Sequence, residues 1–518
     1  MAKKSPAQTP PPARRRTRLA LPAALAGLVI ILIAAVWLAC NWSAAVTAAT
    51  LADARADPAA LRAFLYRMPK GGDLHVHLTG GIYAERFIAW AVADRLCVQT
   101  SDYSIARKPC DRFAGTLPME EAVGAVDTQA KQQVYDRIVD ALSMRNFRPS
   151  AAEPTGHDHF FAAFGKFSAA ADNHFEDMVV DLLASYGAQS TQYLELMTSF
   201  SWTEERKPYV ATLSGKTDPK DKLEALVQAG LANLVEKKKQ ELARSIIKIE
   251  ELRGCGAEKT KPGCNVSYRF IAQVSRNASL DDVFVQTAIA AALVRSEPMV
   301  VAFNYVQAED AAVPRADYSE QMRIVAYLAG SPAGEKRINV SLHAGELWLG
   351  LVPPADLTFH IGEAVEIAHA QRIGHGVDLA FERDQAALLA EMRERKVAVE
   401  INLTSNDQIL GVRGAEHPFP AYRAAGVPVV LSTDDAAVER IDLTNEYVRA
   451  ARDYALSYAE LKAIARAALV YSFLDGAQKR QELAKFDRAA ADFERATAAR
   501  QSLLGDFCLV IRYAVGWR

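Results

Sequence analysis

The pentapeptide "LHVHL" places His75 and His77 two residues apart between apolar neighbours. In a strand alternate side chains share a face, so both imidazoles point one way while Leu74, Val76 and Leu78 point the other. That suits two ligands on one metal ion, and it also suits two histidines on a half-exposed strand. Further along, "SLHAGE" carries His343 and Glu346, "GHG" carries His375, and "STDD" carries Asp434 and Asp435. Each has an ordinary reading alone: a histidine between glycines serves a turn, and "TDD" caps a helix. Together, three imidazoles and a carboxylate make a ligand set for one divalent metal, with a position left for water.

Those residues need a scaffold that gathers them. Short β-branched runs recur between longer segments of helical periodicity, the pattern of a parallel β/α fold. The runs are "DLHVHL" from Asp73, "QYLELM" from Gln192, "YRFIAQ" from Tyr268, "MVVAFN" from Met299, "INVSLHA" from Ile338, "RIGHG" from Arg372, "VAVEIN" from Val397 and "PVVLSTDD" from Pro428. Eight strands close a TIM barrel, whose active sites lie at the carboxyl ends of the strands, where these polar residues fall. The predicted barrel spans 67–480, with helical insertions at about 82–191 and 197–267. A linker and leading helix (41–66) precede it, and a helical extension (481–518) follows.

The chain has 518 residues and a net charge of −2, which gives no electrostatic case for nucleic acid. Its unusual end is the N-terminus. Lys3, Lys4, Arg14, Arg15, Arg16 and Arg18 form a basic stub (1–18) ahead of the uncharged stretch 19–40. Roughly 22 apolar residues can cross a bilayer, and the basic flank holds the N-terminus in the cytoplasm. The expectation is a single-pass anchor with the rest of the chain outside the cytoplasm. Small residues from Ser43 to Thr50 leave cleavage and secretion as the alternative.

Cysteine placement fits export. Cys97 with Cys110 and Cys255 with Cys264 form two local pairs, read as disulfides. Free thiols or a four-cysteine metal site are the alternatives, although the C-x2-C spacing of zinc modules is missing. Cys508 has no evident partner. The long charged helices near the C-terminus read as solvated faces, with a homodimer contact as the other reading.

"MPKGGDLHVHL", "SLHAGE", "RIGHGVDL", "EINLTSN" and "VVLSTDD" resemble, in order and approximate spacing, successive signatures of the adenosine deaminase family in the metal-dependent hydrolase superfamily. The resemblance covers roughly Arg67 to Leu474. "HDHFFAAFGKF" from His157 and "NYVQAEDAAVPRADYSEQMRIVAYL" from Asn304 are similar to the exported, adenosine deaminase-related growth factor branch. The resemblance implies that His75, His77, His343 and Asp434 hold one zinc ion per chain, which makes hydroxide available near neutral pH. It further implies that His375 orients the water and takes its proton, that Glu346 protonates a purine ring nitrogen, and that Asp435 hydrogen-bonds another. The implied reaction converts an adenosine-type nucleoside to an inosine-type product and ammonia.

Two positions depart from the compact enzyme. Thr79 stands where an aspartate resembling a ribose contact is expected, and Gln307 where a glycine meets the purine. Both are candidate substrate contacts. They keep open a related amidohydrolase acting on another aminopurine, nucleotide or ring amide. A non-catalytic binding or signalling protein is the third reading, against which the intact ligand set stands. The H-x-E and P-C-x-x-C pattern of the other zinc deaminases is absent. His157 and His159 read as packing residues or as a second metal pair.

Overall fold

The computed structural model describes residues 42–256, 261–330 and 337–500. The chain divides into two compact units, residues 51–490 and a second made by the chain before and after them. The first unit holds the barrel. The apolar segment 19–40 lies outside the described residues, as do Cys40 and Cys508. Among the described residues no helix is long and apolar enough to cross a membrane.

Among the described residues eight parallel strands are present: β1 (Gly71–His77), β2 (Thr191–Thr198), β3 (Ser267–Ser275), β4 (Val300–Val306), β5 (Ser341–Ala344), β6 (Arg372–His375), β7 (Ala398–Ile401) and β8 (Val429–Leu431). They form two four-stranded sheets, β1 to β4 and β5 to β8. Two isolated bridges join the sheets, Phe303 with Val340 and Val76 with Asp434, so the ring closes. Every residue of β1, β2 and β5 to β8 is buried, as expected of strands covered by helices outside and by side chains within. β5 to β8 are shorter than their apolar runs because each gives way at its carboxyl end to a polar turn.

The interval between β1 and β2 holds five helices: Ala84–Ala93, Met119–Val123, Gln129–Ala141, Gly156–Ala171 and Phe175–Ala188. It also holds a three-stranded antiparallel sheet (Cys97–Gln99, Ile105–Ala106, Thr116–Pro118) that the sequence reading did not foresee. Strands of two or three residues are too short to display a period. The Cys97–Cys110 disulfide staples this sheet. Three helices, Thr203–Thr212, Pro219–Gln228 and Leu231–Arg253, fill the interval between β2 and β3, and Cys255 is joined to Cys264 after the third.

Candidate functional site

Register sets the site. Gly374 of β6 pairs with His343 on one side and Glu400 on the other. A Cβ at Gly374 would lie 2.6 Å from His75 Cε1, so only glycine lets the His75 ring cross to both neighbours. His75 Nε2 lies 3.0 Å from His343 Nε2, and His77 Nε2 lies 3.2 Å from it. Asp434 Oδ1 stands 3.3 Å from His75 Nε2 and 3.2 Å from His77 Nε2. Asp434 has φ 63°, a left-handed conformation that is costly for a non-glycine residue and is typical of functional turns.

The other ring nitrogens are engaged so that the Nε2 atoms face inward. His75 Nδ1–H donates to Glu400 Oε2 at 2.6 Å, and His343 Nδ1–H donates to Asn304 Oδ1 at 2.9 Å. The Gln273 amide lies 2.6 Å from His77 Nδ1, and rotating that amide presents its oxygen to take the ring proton. Such outer partners fix tautomer and ring direction in metal sites. Asp434 Oδ2 accepts from Ser405 Oγ at 2.9 Å, whereas Asp434 Oδ1 is buried with no hydrogen-bond partner. Lone pairs converging at 3.0–3.3 Å around an orphaned carboxylate oxygen repel one another unless a cation lies between them. Donors about 2.0–2.1 Å from a tetrahedral cation are about 3.3 Å apart, so the set fits a zinc-sized ion. The same four residues form a possible metal-holding group by the mutual closeness of their donor atoms.

Charge behind the ligands is buried and paired. Arg372 binds Glu400 through Nε and Glu195 Oε2 through Nη2, the latter at 2.6 Å. Burial pushes the Glu400 carboxyl up, but Arg372 and His75 outweigh it and hold the group at about 2. For Asp434, burial is likewise outweighed, by His75 and His77, and the carboxyl stays well below its ordinary range. Burial, with the neighbouring imidazoles, keeps His343 well below the usual range, so it offers a lone pair.

Above the ligands lies a cavity of about 480 Å³, lined by His77, Thr79, Gln307, His343, Glu346, Asp434, Asp435 and the aromatic trio Phe160, Phe161 and Phe164. Burial and the Asp434 and Glu309 carboxylates hold Glu346 well above the carboxylate range; burial and Asp434 do the same to Asp435. Both shifts favour the protonated form. Glu309 accepts from the backbone N–H of Gly345 (3.1 Å) and of Glu346 (2.9 Å), and pairs with His360 Nδ1 at 2.5 Å. His375 is fully buried, with Nδ1 3.6 Å from Glu346 Oε1 and Nε2 3.6 Å from Asp434 Oδ2. Gln307 takes φ 81°, and its Oε1 accepts from Asn277 N at 3.2 Å.

All the residues read from sequence as ligands, acids or substrate contacts thus meet at one mouth of the barrel. His157 and His159 do not join them. His157 Nε2 pairs with Asp310 Oδ1 at 2.9 Å, while His159 Nδ1 pairs with Glu153 Oε2 at 2.5 Å, so the two rings serve separate packing contacts. Sequence reasoning gave no role to Glu400, Asn304, Gln273 or Glu309. An ionisable residue inside the apolar run "VAVEI" was the available signal for Glu400.

The Adenosine deaminase family profile matches residues 243–489. His75 and His77 precede that match, and the fold brings them to His343 and Asp434. An adenosine deaminase of Enterococcus faecalis is 36% identical over 158 residues, 30% of this chain and 43% of the relative. An aminodeoxyfutalosine deaminase of Streptomyces coelicolor is 38% identical over 120 residues, 23% of this chain and 30% of the relative. The matched stretch therefore spans less than half the length of these curated relatives. Among solved structures, Arabidopsis ADAL complexed with GMP superposes with a TM-score of 0.53 at 18% identity, covering 83% of this chain and 99% of that one. A cog1816 amidohydrolase from Burkholderia ambifaria, with bound Zn, gives 0.51 at 16% identity, covering 85% and 95%. These two likenesses establish the barrel fold. With the profile and the sequence relatives, they make the carboxyl-terminal half of the barrel similar to the adenosine deaminase family.

Proposed function

We propose that this chain is a zinc-dependent hydrolase that deaminates adenosine or a related aminopurine nucleoside, outside the cytoplasm. The observation that carries the reading is Asp434 Oδ1, an unpartnered buried oxygen among three imidazoles at the base of a cavity walled by the carboxyl groups of Glu346 and Asp435. His75, His77, His343 and Asp434 would hold a zinc ion, which would supply a water acidic enough to serve as hydroxide near neutral pH.

The remaining work falls to the chain. Glu346, kept protonated, gives its proton to the ring nitrogen beside the amino-bearing carbon, which makes that carbon electrophilic. Asp435, also neutral, donates to a second ring nitrogen and fixes the base. His375 orients the attacking oxygen from the Asp434 side. Phe160, Phe161 and Phe164 exclude water from the reacting ring. Hydroxide adds at the amino-bearing carbon, and the adduct's hydroxyl proton passes to the amino nitrogen. The C–N bond breaks to release ammonia as the ring carbonyl forms, and the proton given up by the water restores Glu346.

Among the described residues no lysine or arginine lines the cavity, which favours a nucleoside over a nucleotide because a phosphate there would find no cation. Thr79 and Gln307 support a modified aminopurine as the second reading, and relatives named aminodeoxyfutalosine deaminase point the same way. Export rests on the apolar stretch 19–40, its basic flank and the two disulfides.

The deciding experiment follows ultraviolet changes when the zinc-loaded chain meets adenosine, deoxyadenosine, AMP and guanine derivatives. Turnover of the nucleosides, abolished by chelation and restored by zinc, is expected. Full activity after complete metal removal overturns the mechanism. A reporter fused after Arg518 should be active outside the cytoplasmic membrane, and activity inside reverses the assignment of location.

A further inference from the structure

Two buried side chains with no part in the chemistry, Asn406 and His417, form a hydrogen-bonded line that ends on His375. The line starts at a backbone group. Phe419 N lies 3.1 Å from His417 Nδ1. A backbone N–H only donates, so His417 Nδ1 carries the lone pair and the ring proton sits on Nε2. That nitrogen lies 3.0 Å from Asn406 Oδ1, which accepts the proton and so fixes which way round the amide sits. The other end of the amide, Nδ2, lies 2.8 Å from His375 Nδ1. Facing a donor, His375 Nδ1 must hold the lone pair, and its proton is left on Nε2.

Glu346 Oε1 faces Nδ1 and Asp434 Oδ2 faces Nε2, each at 3.6 Å and beyond hydrogen-bond reach, so the 2.8 Å contact from Asn406 decides the order. Asn402 Nδ2 stands 3.4 Å from each ring nitrogen of His375 and selects neither. All of these side chains are buried. Burial, with Arg449 and His375 adding to it, pulls His417 down to about 3. The directions of the hydrogen bonds along the line place one proton on each ring.

We propose that Asn406 and His417 are positioning residues that lock His375 in its Nε2–H tautomer, so that it presents a hydrogen-bond donor, not a proton acceptor, to the site. The proton points toward the gap shared with Asp434, whose Oδ2 lies 3.6 Å from Nε2. An attacking oxygen entering that gap is aimed by accepting from His375. The consequence for catalysis rests on the deaminase reading; the tautomer does not. The proposal replaces the proton-taking role that the resemblance implied for His375 with a proton-donating hydrogen bond.

The test uses the full zinc-loaded chain labelled with ¹⁵N-histidine. Two-bond ¹H–¹⁵N correlation separates protonated from unprotonated ring nitrogens, and His375→Asn identifies the His375 signals by their loss. The wild type should show Nε2–H at His375; Nδ1–H there overturns the proposal. Asn406→Asp swaps the donor for an acceptor. It should move the proton to Nδ1, keep about one zinc per chain and lower kcat by at least about 10²-fold, since a wrong-tautomer substitution can cost about 10⁴-fold. If that variant fails to fold, His417 gives the second arm. His417→Gln keeps a donor toward Asn406 and should retain tautomer and turnover, whereas His417→Ala should lose the single tautomer and slow the reaction. An unchanged tautomer in both Asn406→Asp and His417→Ala overturns the proposal. An Nε2–H wild type that deaminates no aminopurine defeats the deaminase reading while supporting the tautomer assignment.

Discussion

Asp434 divides its work between its two oxygens, one facing the imidazoles and the other held by Ser405. Glu346 sits beside it with a different task, and substitution separates the two. Glu346→Gln keeps shape but cannot deliver a proton; zinc content should stay near one per chain while kcat falls by at least about 10²-fold. Asp434→Asn should lose metal together with rate, and elemental analysis beside steady-state kinetics distinguishes the outcomes. The candidate ligands and acids were legible in the sequence because few residue types bind metals or move protons, and because they cluster at predicted strand ends. Asn406 and His417 were not. An asparagine in a helix and a histidine before a proline read as cap and turn, and only tertiary contact brings them to His375.

Among the elements, the glycine-rich turn after β1 has the tightest tolerance. A Cβ on Gly80 would lie 1.6 Å from Asp435 Oδ1, so any side chain there displaces the acid proposed to fix the base. Gly80→Ala should retain zinc, because no ligand is touched, and should lower kcat/KM by roughly 10-fold or more through loss of an oriented hydrogen bond. Loss of zinc instead would mean that the whole β1 turn had moved. The eight barrel strands could be read from sequence because each carries a long enough apolar run. Their short observed ends could not, since pairing stops where the turn residues reach the site. The small antiparallel sheet was invisible, although the cysteines bracketing it were not. Peptide mapping without reduction should recover Cys97 linked to Cys110 and Cys255 linked to Cys264.

At the scale of the whole molecule, buried acids shape stability against pH. Burial pushes Glu446 up to about 7, against the hydrogen bonds from Thr404. Between about pH 4.5 and 7 the folded chain keeps that proton while the unfolded chain has released it, so this group lowers stability as pH rises. Glu309 and Glu400, held at about 2, act oppositely: their contribution is full above about pH 4.5 and fades toward pH 2. Glu446→Gln should therefore gain on the wild type by about 3 kcal/mol between pH 4.5 and 7, at about 1.4 kcal/mol per pKa unit, in urea unfolding of the chelated protein. A difference that does not change with pH would show that Glu446 is ionised in the fold. The ring of strands is fastened at one of its two joins by the bridge from Val76 to Asp434. It resembles a belt whose buckle is the reaction centre, so that filling the centre and keeping the belt fastened are one equilibrium. A cation at a hundred times its dissociation constant tightens that buckle by about 2.7 kcal/mol. On the proposed reading, depletion of the ion removes this stabilisation together with the activity.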